Sequence, residues 1–493
     1  MRILTRSIVA LSLACAAQAA VTLPELFSDH MVIERNVPVH VWGMANAGET
    51  VNVEFHGAAG NTRADALGRW SVYLPPVEAG GPFTLKVNGL TFSDVLVGDI
   101  WVASGQSNME FGMRNVNNAA TEIAAANFPK IRLLTVNRRV SEYPVENIPG
   151  AKWAVCNPDT VAEFSAVAYF FARNIAEHHD IPIGLIHSSW GGTPAETWTS
   201  ADALTADASL MPVYTEWGRT MRQLPDDMLK RDQQLDKWRA EVEAAKAAGK
   251  PAPGKPWAPN EDNSWRPSAL YNGMIAPLTP FPIRGVIWYQ GESNASKERA
   301  GLYHHLFAAM IEDWRKQWGV GNFPFLFVQL ANYKTGPDSS WPDLREAQRQ
   351  TLGLANTAMA VTIDVGNPSD IHPKNKQDVG KRLALAARAM TYGEKLEYSG
   401  PTMLQAVPTD GAVRVWFEHA QGLKAANGEL TGFEVAGADH HFVPATATIE
   451  GTSVILSASS VTNPQEARYG WSDNPTANLV NAAGIPASPF KSR

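Results

Sequence analysis

The chain has 493 residues, 45% apolar and 18% charged, which is more than one ordinary core accommodates and reads as folded globular protein of two or three domains. A net charge of −7 gives no electrostatic footprint for nucleic acid, and no apolar run approaches the ~20 residues of a membrane span. The two cysteines, Cys15 and Cys156, exclude a disulfide framework.

Residues 1–20 read as a secretory leader: Arg2 and Arg6 make a basic start, residues 8–15 an apolar middle, and Ala17-Gln18-Ala19 a small-residue cleavage site. The mature chain is therefore expected to be exported, periplasmic or secreted, with a charge of −9. Cys156 would then stand alone, without the partners that a disulfide or a Cys-based zinc site needs. No metal and no other cofactor is expected.

Residues 21–94 alternate apolar and polar with period two, as in Val51-Asn52-Val53-Glu54-Phe55 and Trp70-Ser71-Val72-Tyr73-Leu74, between Gly-rich turns. This predicts a small β-sandwich module without a catalytic constellation.

Residues 95–395 alternate strand and helix, which predicts a mainly parallel sheet covered by helices on both faces. Strands are expected at 99–103, 130–136, 181–187, 285–289, 325–330 and 358–363. Three of them end in chemistry-bearing turns. The first stops at Ser104-Gly105-Gln106, immediately before Ser107. That places a hydroxyl at the carboxyl edge of the sheet, where open α/β sheets bind ligands, and makes Ser107 the candidate nucleophile. Met109 departs from the G-x-S-x-G elbow. The strand at 181–187 runs into His187-Ser188-Ser189-Trp190-Gly191-Gly192-Thr193, and that at 285–289 into Gln290-Gly291-Glu292-Ser293-Asn294. Backbone N–H groups beside Gly and the amide of Asn suit an oxyanion. Between these two strands, residues 200–265 read as an insertion: a charged amphipathic stretch at 228–248, then a Pro-rich loop. It is either a solvated decoration or a wall of the cleft.

After the strand at 358–363 comes Asp370-Ile371-His372-Pro373, ahead of an amphipathic helix. His372 is the candidate base for Ser107, with Asp370 the nearest acid to orient its ring. Trp101, Trp190, Trp198 and Trp288 cluster near these turns and suit stacking on sugar rings. Trp190 and Trp288, with Gln106, Gln290 and Glu292, are assigned to substrate binding. Glu292 also admits a reading as the acid/base of glycoside cleavage, but the second carboxylate that this needs is not apparent. Residues 396–493 return to alternation and predict a C-terminal β module. Asp439-His440-His441 reads as an exposed loop.

Taken together, Gly105-Gln106-Ser107-Asn108-Met109-Glu110, Gly191-Gly192-Thr193, Gln290-Gly291-Glu292-Ser293-Asn294 and Asp370-Ile371-His372-Pro373 resemble the sialate O-acetylesterase family, a branch of the SGNH (GDSL-like) hydrolases. Leu270-Tyr271-Asn272-Gly273-Met274 and Leu344-Arg345-Glu346-Ala347-Gln348 add to the likeness. The resemblance implies an α/β fold, an SGNH-type parallel-sheet catalytic domain flanked by N- and C-terminal β modules. It also implies Ser107 as nucleophile, His372 as general base, and an oxyanion hole from the Ser107 N–H, a Gly191 or Gly192 N–H and the Asn294 amide. The spacing Asp370-x-His372 departs from the usual Asp-x-x-His of SGNH enzymes, so Asp364 or a backbone carbonyl stays open as the orienting group. The implied activity is removal of O-acetyl groups from a carbohydrate. The substrate is either an acetylated sialic acid, which needs a cationic clamp (Arg284, Arg345 and Lys374 by chain position), or a plant-wall polysaccharide such as xylan, xyloglucan or pectin. A non-catalytic carbohydrate-binding protein and a metal-dependent deacetylase are the readings of other classes. Oligomeric state is not legible.

Overall fold

The computed structural model describes residues 21–254 and 263–492. The leader-like segment 1–20 and part of the Pro-rich loop lie outside the described residues.

Six parallel strands form the centre: β1 (Leu90–Gly105), β2 (Phe128–Thr135), β3 (Ile183–Ser189), β4 (Gly285–Tyr289), β5 (Phe325–Val328) and β6 (Thr357–Ala360). Their order across the sheet is β6-β5-β4-β1-β3-β2, with Ala154–Cys156 added antiparallel at the outer edge of β2. β3, β4, β5 and most of β6 are buried along their length, as strands covered on both faces must be. The chain leaves β1 toward one side of the sheet and returns on the other, so β1 lies at the switch point where crevices open.

Helices α1 (Ala166–Ala176) and α5 (Lys376–Met390) pack together on one face. Phe171 of α1 meets Trp101 of β1 there, with ring centroids 4.9 Å apart. Helices α3 (Ala300–Trp318) and α4 (Trp341–Gln350) pack together as well, and α3 sets Phe307 and Trp314 against Trp288 of β4 on the opposite face. Between α1 and α3 runs α2 (Met211–Ala247), a helix of 37 residues. It starts well before the stretch expected from the sequence. Pro212, Gly218 and Pro225 punctuate its first turns and hide the periodicity, yet Pro is well tolerated at a helix start, and the interior Pro225 lies on the solvent side.

β1 is longer than its apolar core predicts because it serves two sheets. Its first half pairs antiparallel with Gly80–Val87 and parallel with Val32–Glu34, and its second half lies between β3 and β4. Its burial pattern changes accordingly, from mostly exposed or part-exposed positions to continuous burial. Around the first half, Thr50–Phe55 and Arg69–Leu74 alternate exposed and buried positions, as half-covered antiparallel strands do. At the other end of the chain, a four-stranded sheet (Thr402–Thr409, Ala412–Glu418, Ser453–Ser457, Thr446–Glu450) faces a second one built on Phe433–Ala436 and Glu466–Tyr469. These share a core of their own that includes Phe417, Phe433, Tyr469 and Phe490. His440, in the loop read as exposed, is exposed and pairs with Glu466.

Candidate active site

β1, β3 and β4 end in register, with Ser189 and Tyr289 each opposite Gly105. The three turns that follow are stitched together by backbone bonds: the Trp190 N–H donates to the Gly105 carbonyl (3.1 Å) and the Gln106 N–H to that of Tyr289 (3.0 Å). Gly105 has φ +135°, and a Cβ there would stand 2.2 Å from the Tyr289 carbonyl oxygen, so only glycine lets the strands close on this turn. Ser107 then opens a one-turn helix, Ser107–Glu110.

His372 arrives from the far side of the sheet. Its Nε2 lies 2.8 Å from Ser107 Oγ, a full hydrogen bond between groups 265 residues apart. Burial, and then the nearby Lys376 ammonium, hold the imidazole below its ordinary range, while Asp370 acts in the opposite sense. The ring is therefore neutral near pH 7 and able to accept the Ser107 proton.

Asp370 does not hold the ring by a hydrogen bond. Its Oδ1 accepts the His372 backbone N–H at 2.9 Å but stands 4.0 Å from Nδ1. Asp364, the alternative, carries both oxygens on the Arg382 guanidinium at 2.6 Å each. Beneath the Ser–His pair lies a polar chain that the sequence did not reveal. Lys376 Nζ donates to Asn108 Oδ1 (2.5 Å), and Asn108 Nδ2 donates to Glu292 Oε1 (2.5 Å) and to the Ile371 carbonyl (3.0 Å). Lys376 is fully buried over the faces of Phe111 and Tyr289, and burial pushes its ammonium down to about 7. Asn108, next to Ser107, is thus tied to Ile371, next to His372.

Asn294 is oriented without ambiguity. Its Oδ1 accepts from the Ala195 N–H (2.9 Å) and from Gln290 Nε2 (2.7 Å), so Nδ2 is the donor end, and one of its hydrogens goes to Glu196 (3.0 Å). Gly191 packs directly on Ser107: a Cβ there would lie 3.2 Å from Ser107 Cβ. Its N–H donates to Glu110 Oε2 at 3.0 Å, and Arg138 holds the other Glu110 oxygen. Of the two glycines considered for the oxyanion, Gly191 therefore already faces a carboxylate oxygen. Gly192 instead turns its carbonyl to Trp265 Nε1 (2.7 Å).

Several residues assigned to substrate binding sit elsewhere. Trp288 is fully buried among Trp198, Phe307 and Trp314, and Trp101 and Trp198 are buried too, because strand ends in a two-faced sheet put large rings under helices rather than into a cleft. Gln290 is buried as the support of Asn294 and accepts from the Tyr303 hydroxyl. Gln106 is buried with its Oε1 accepting the Ser293 and Gly291 N–H groups, a clasp between the first and third turns. Glu292 is bonded to Asn108 below Ser107, its Oε2 buried and unpartnered, and burial raises its carboxyl above the usual range. Trp190 does line a cleft, beginning at Gly191 and Gly192, with Trp217 and Trp265, which the sequence reading passed over. Of the proposed clamp residues, Arg284 pairs with Glu34 and Asp99 at the start of β1's buried half, and Arg345 is buried on backbone carbonyls. Lys374 is exposed. Among the described residues no three His, Cys, Asp or Glu side chains gather closely enough to hold a metal ion.

The model of a carbohydrate esterase family described as sialic acid-specific acetylesterase matches residues 97–231 and 252–389. A rat and a human protein, each named sialate O-acetylesterase, are both 30% identical to the chain. The alignments cover 92% of this chain and 90% of the rat protein, and 91% of this chain and 88% of the human one. Among solved structures, a carbohydrate acetylesterase from Xanthomonas citri is 40% identical and superposes with a TM-score of 0.83 over 96% of this chain and 100% of its own.

Proposed function

Since the chain belongs to the sialic acid-specific acetylesterase family of carbohydrate esterases and is a carbohydrate O-acetylesterase, we propose that it works as a metal-independent serine esterase through Ser107 and His372. The single observation behind this reading is the 2.8 Å contact between Ser107 Oγ and His372 Nε2 at the switch point of the sheet.

His372 Nε2 takes the proton of Ser107 as Oγ attacks the acetyl carbonyl, forming the C–O bond of a tetrahedral intermediate. The Ser107 N–H, the Gly192 N–H and the free amide hydrogen of Asn294 stabilise its oxyanion, since the Gly191 N–H is already held by Glu110. Collapse breaks the bond to the sugar oxygen, which leaves with the proton from His372. Water, deprotonated by the same imidazole, then attacks the acetyl-enzyme and releases acetate with Ser107 restored. Asp370 acts on the imidazole through space and through the backbone of its loop. The leader pattern at 1–20 supports export of the protein. Among the described residues no helix is long and apolar enough to cross a membrane.

The test is acetate release from an O-acetylated sugar. Ser107→Ala and His372→Ala are each expected to lower kcat by about 10⁴-fold or more, and a fluorophosphonate should label Ser107 and no other residue. Full activity of Ser107→Ala would refute the mechanism. Intact glycan binding without any wild-type hydrolysis would favour a non-catalytic binding protein.

A further inference from the structure

Beside the nucleophile opens a cavity of about 690 Å³, within the range of sugar-sized ligand sites. Gly191 borders both: its backbone lines the cavity, and a Cβ on it would be 3.2 Å from Ser107 Cβ. A sugar whose acetyl group reaches Ser107 would extend into this space.

Three indoles line the cavity, and each comes from a different part of the chain. Trp190 follows β3, Trp217 is on the second turn of α2, and Trp265 lies on the return from the insertion. Trp265 is 41% exposed and is held in place by its Nε1–H bond to the Gly192 carbonyl. The insertion between β3 and β4 therefore supplies two of the three rings. A pyranose has an apolar C–H face edged by hydroxyls, and indole faces match that shape.

The charges lining the cavity select among sugars. Glu196 and Glu216 are its carboxylates, and Arg299 is the one cation among the described lining residues. Arg299 is fully committed: it pairs with Glu196, lies 3.6 Å from Glu216, donates to the Ser293 carbonyl at 3.2 Å, and stacks on Trp265 with its guanidinium carbon 5.0 Å from the ring centroid. Arg138, on Trp190 outside the cavity, is paired with Glu110. Within this lining a carboxylate-bearing sugar would meet two carboxylates and a single cation that is already paired, whereas sugar hydroxyls can donate to the part-exposed Glu216.

Building on the esterase reading, we propose that Trp190, Trp217 and Trp265 form the leaving-sugar site, and that it selects uncharged O-acetylated sugar rings over acidic ones. The insertion is then a specificity element.

The experiment compares kcat/KM on three substrates: an O-acetylated xylo-oligosaccharide, 9-O-acetylated sialic acid and 4-nitrophenyl acetate, which has no sugar. The wild type is expected to favour the neutral oligosaccharide over the sialic acid by about tenfold or more, and Trp217→Ala to lower the ratio of oligosaccharide to nitrophenyl ester by a similar factor, mostly through KM. Trp217→Leu, which keeps an apolar side chain without an aromatic face, gives the same reading if the alanine variant does not fold. Preference for the sialic acid, or a ratio unmoved by loss of the ring, overturns the proposal. Failure of the esterase reading itself shows separately, as nitrophenyl acetate hydrolysis that survives Ser107→Ala.

Discussion

His372 sits between opposing influences: burial and the Lys376 ammonium disfavour its charged form, and Asp370 favours it. The acidic limb of kcat/KM, which reports the base of the free enzyme, should accordingly fall below the ordinary imidazole value of about 6.5. Lys376→Met removes a cation that opposes protonation, so the limb should move to higher pH; a limb that stays or moves down would discount Lys376 as a positioning residue. Asp370→Asn should shift it the other way. Because Asp370 Oδ1 is 4.0 Å from Nδ1 and bonds the backbone instead, a bond that Asn keeps, the loss in kcat should stay within about tenfold, far from the ~10⁴ of a true ring-holding aspartate. A loss near that larger figure would mean that the carboxylate grips the ring during turnover. Ser107 and His372 were legible because each follows an apolar strand that breaks at a turn. Asn108, Lys376 and Glu292 were not: their bonds join residues 184 and 268 positions apart, and no local pattern marks a buried polar chain.

Among elements, the turn after β1 depends most on one backbone conformation. Gly105→Ala would set a Cβ against the Tyr289 carbonyl in a φ region that alanine avoids, a strain of about 1–3 kcal/mol before any steric relief. Relief means moving β4 or the start of the Ser107 helix. The urea midpoint should fall, and nitrophenyl acetate hydrolysis should drop by more than the unfolded fraction explains, because the nucleophile shifts with the turn. Activity that tracks the folded fraction alone would show that the turn only stabilises. The six parallel strands were readable from their apolar runs to within a few residues, except that β1 begins well before its expected start. β1's first half carries exposed positions belonging to another sheet, and the Gly and Pro residues in the first half of α2 masked a helix that buries only Val213 and Leu224 among its described residues.

For the whole molecule, the fully buried Arg345 joins the parallel sheet to the C-terminal segment. Its Nε donates to the Leu330 carbonyl (2.8 Å), Nη2 to those of Ala331 (2.8 Å) and Asp473 (2.9 Å), and Nη1 to that of Ser472 (2.8 Å). One guanidinium thus satisfies two carbonyls after β5 and two that follow Glu466–Tyr469, a four-carbonyl geometry that the compact ammonium of lysine cannot reproduce. Its place by chain position suggested a substrate clamp; the fold instead buries it with its donors spent on backbone carbonyls of these two segments. Arg345→Met should strand several carbonyls at about 1 kcal/mol or more each, lowering stability by at least about 3 kcal/mol. Calorimetry should then resolve the C-terminal sheets melting ahead of the parallel sheet, where the parent shows closer coupling. Arg345→Lys should recover little of that coupling. At temperatures where the variant remains folded, KM for the acetylated sugar should be unchanged. A rise in KM without a change in melting would return Arg345 to the substrate.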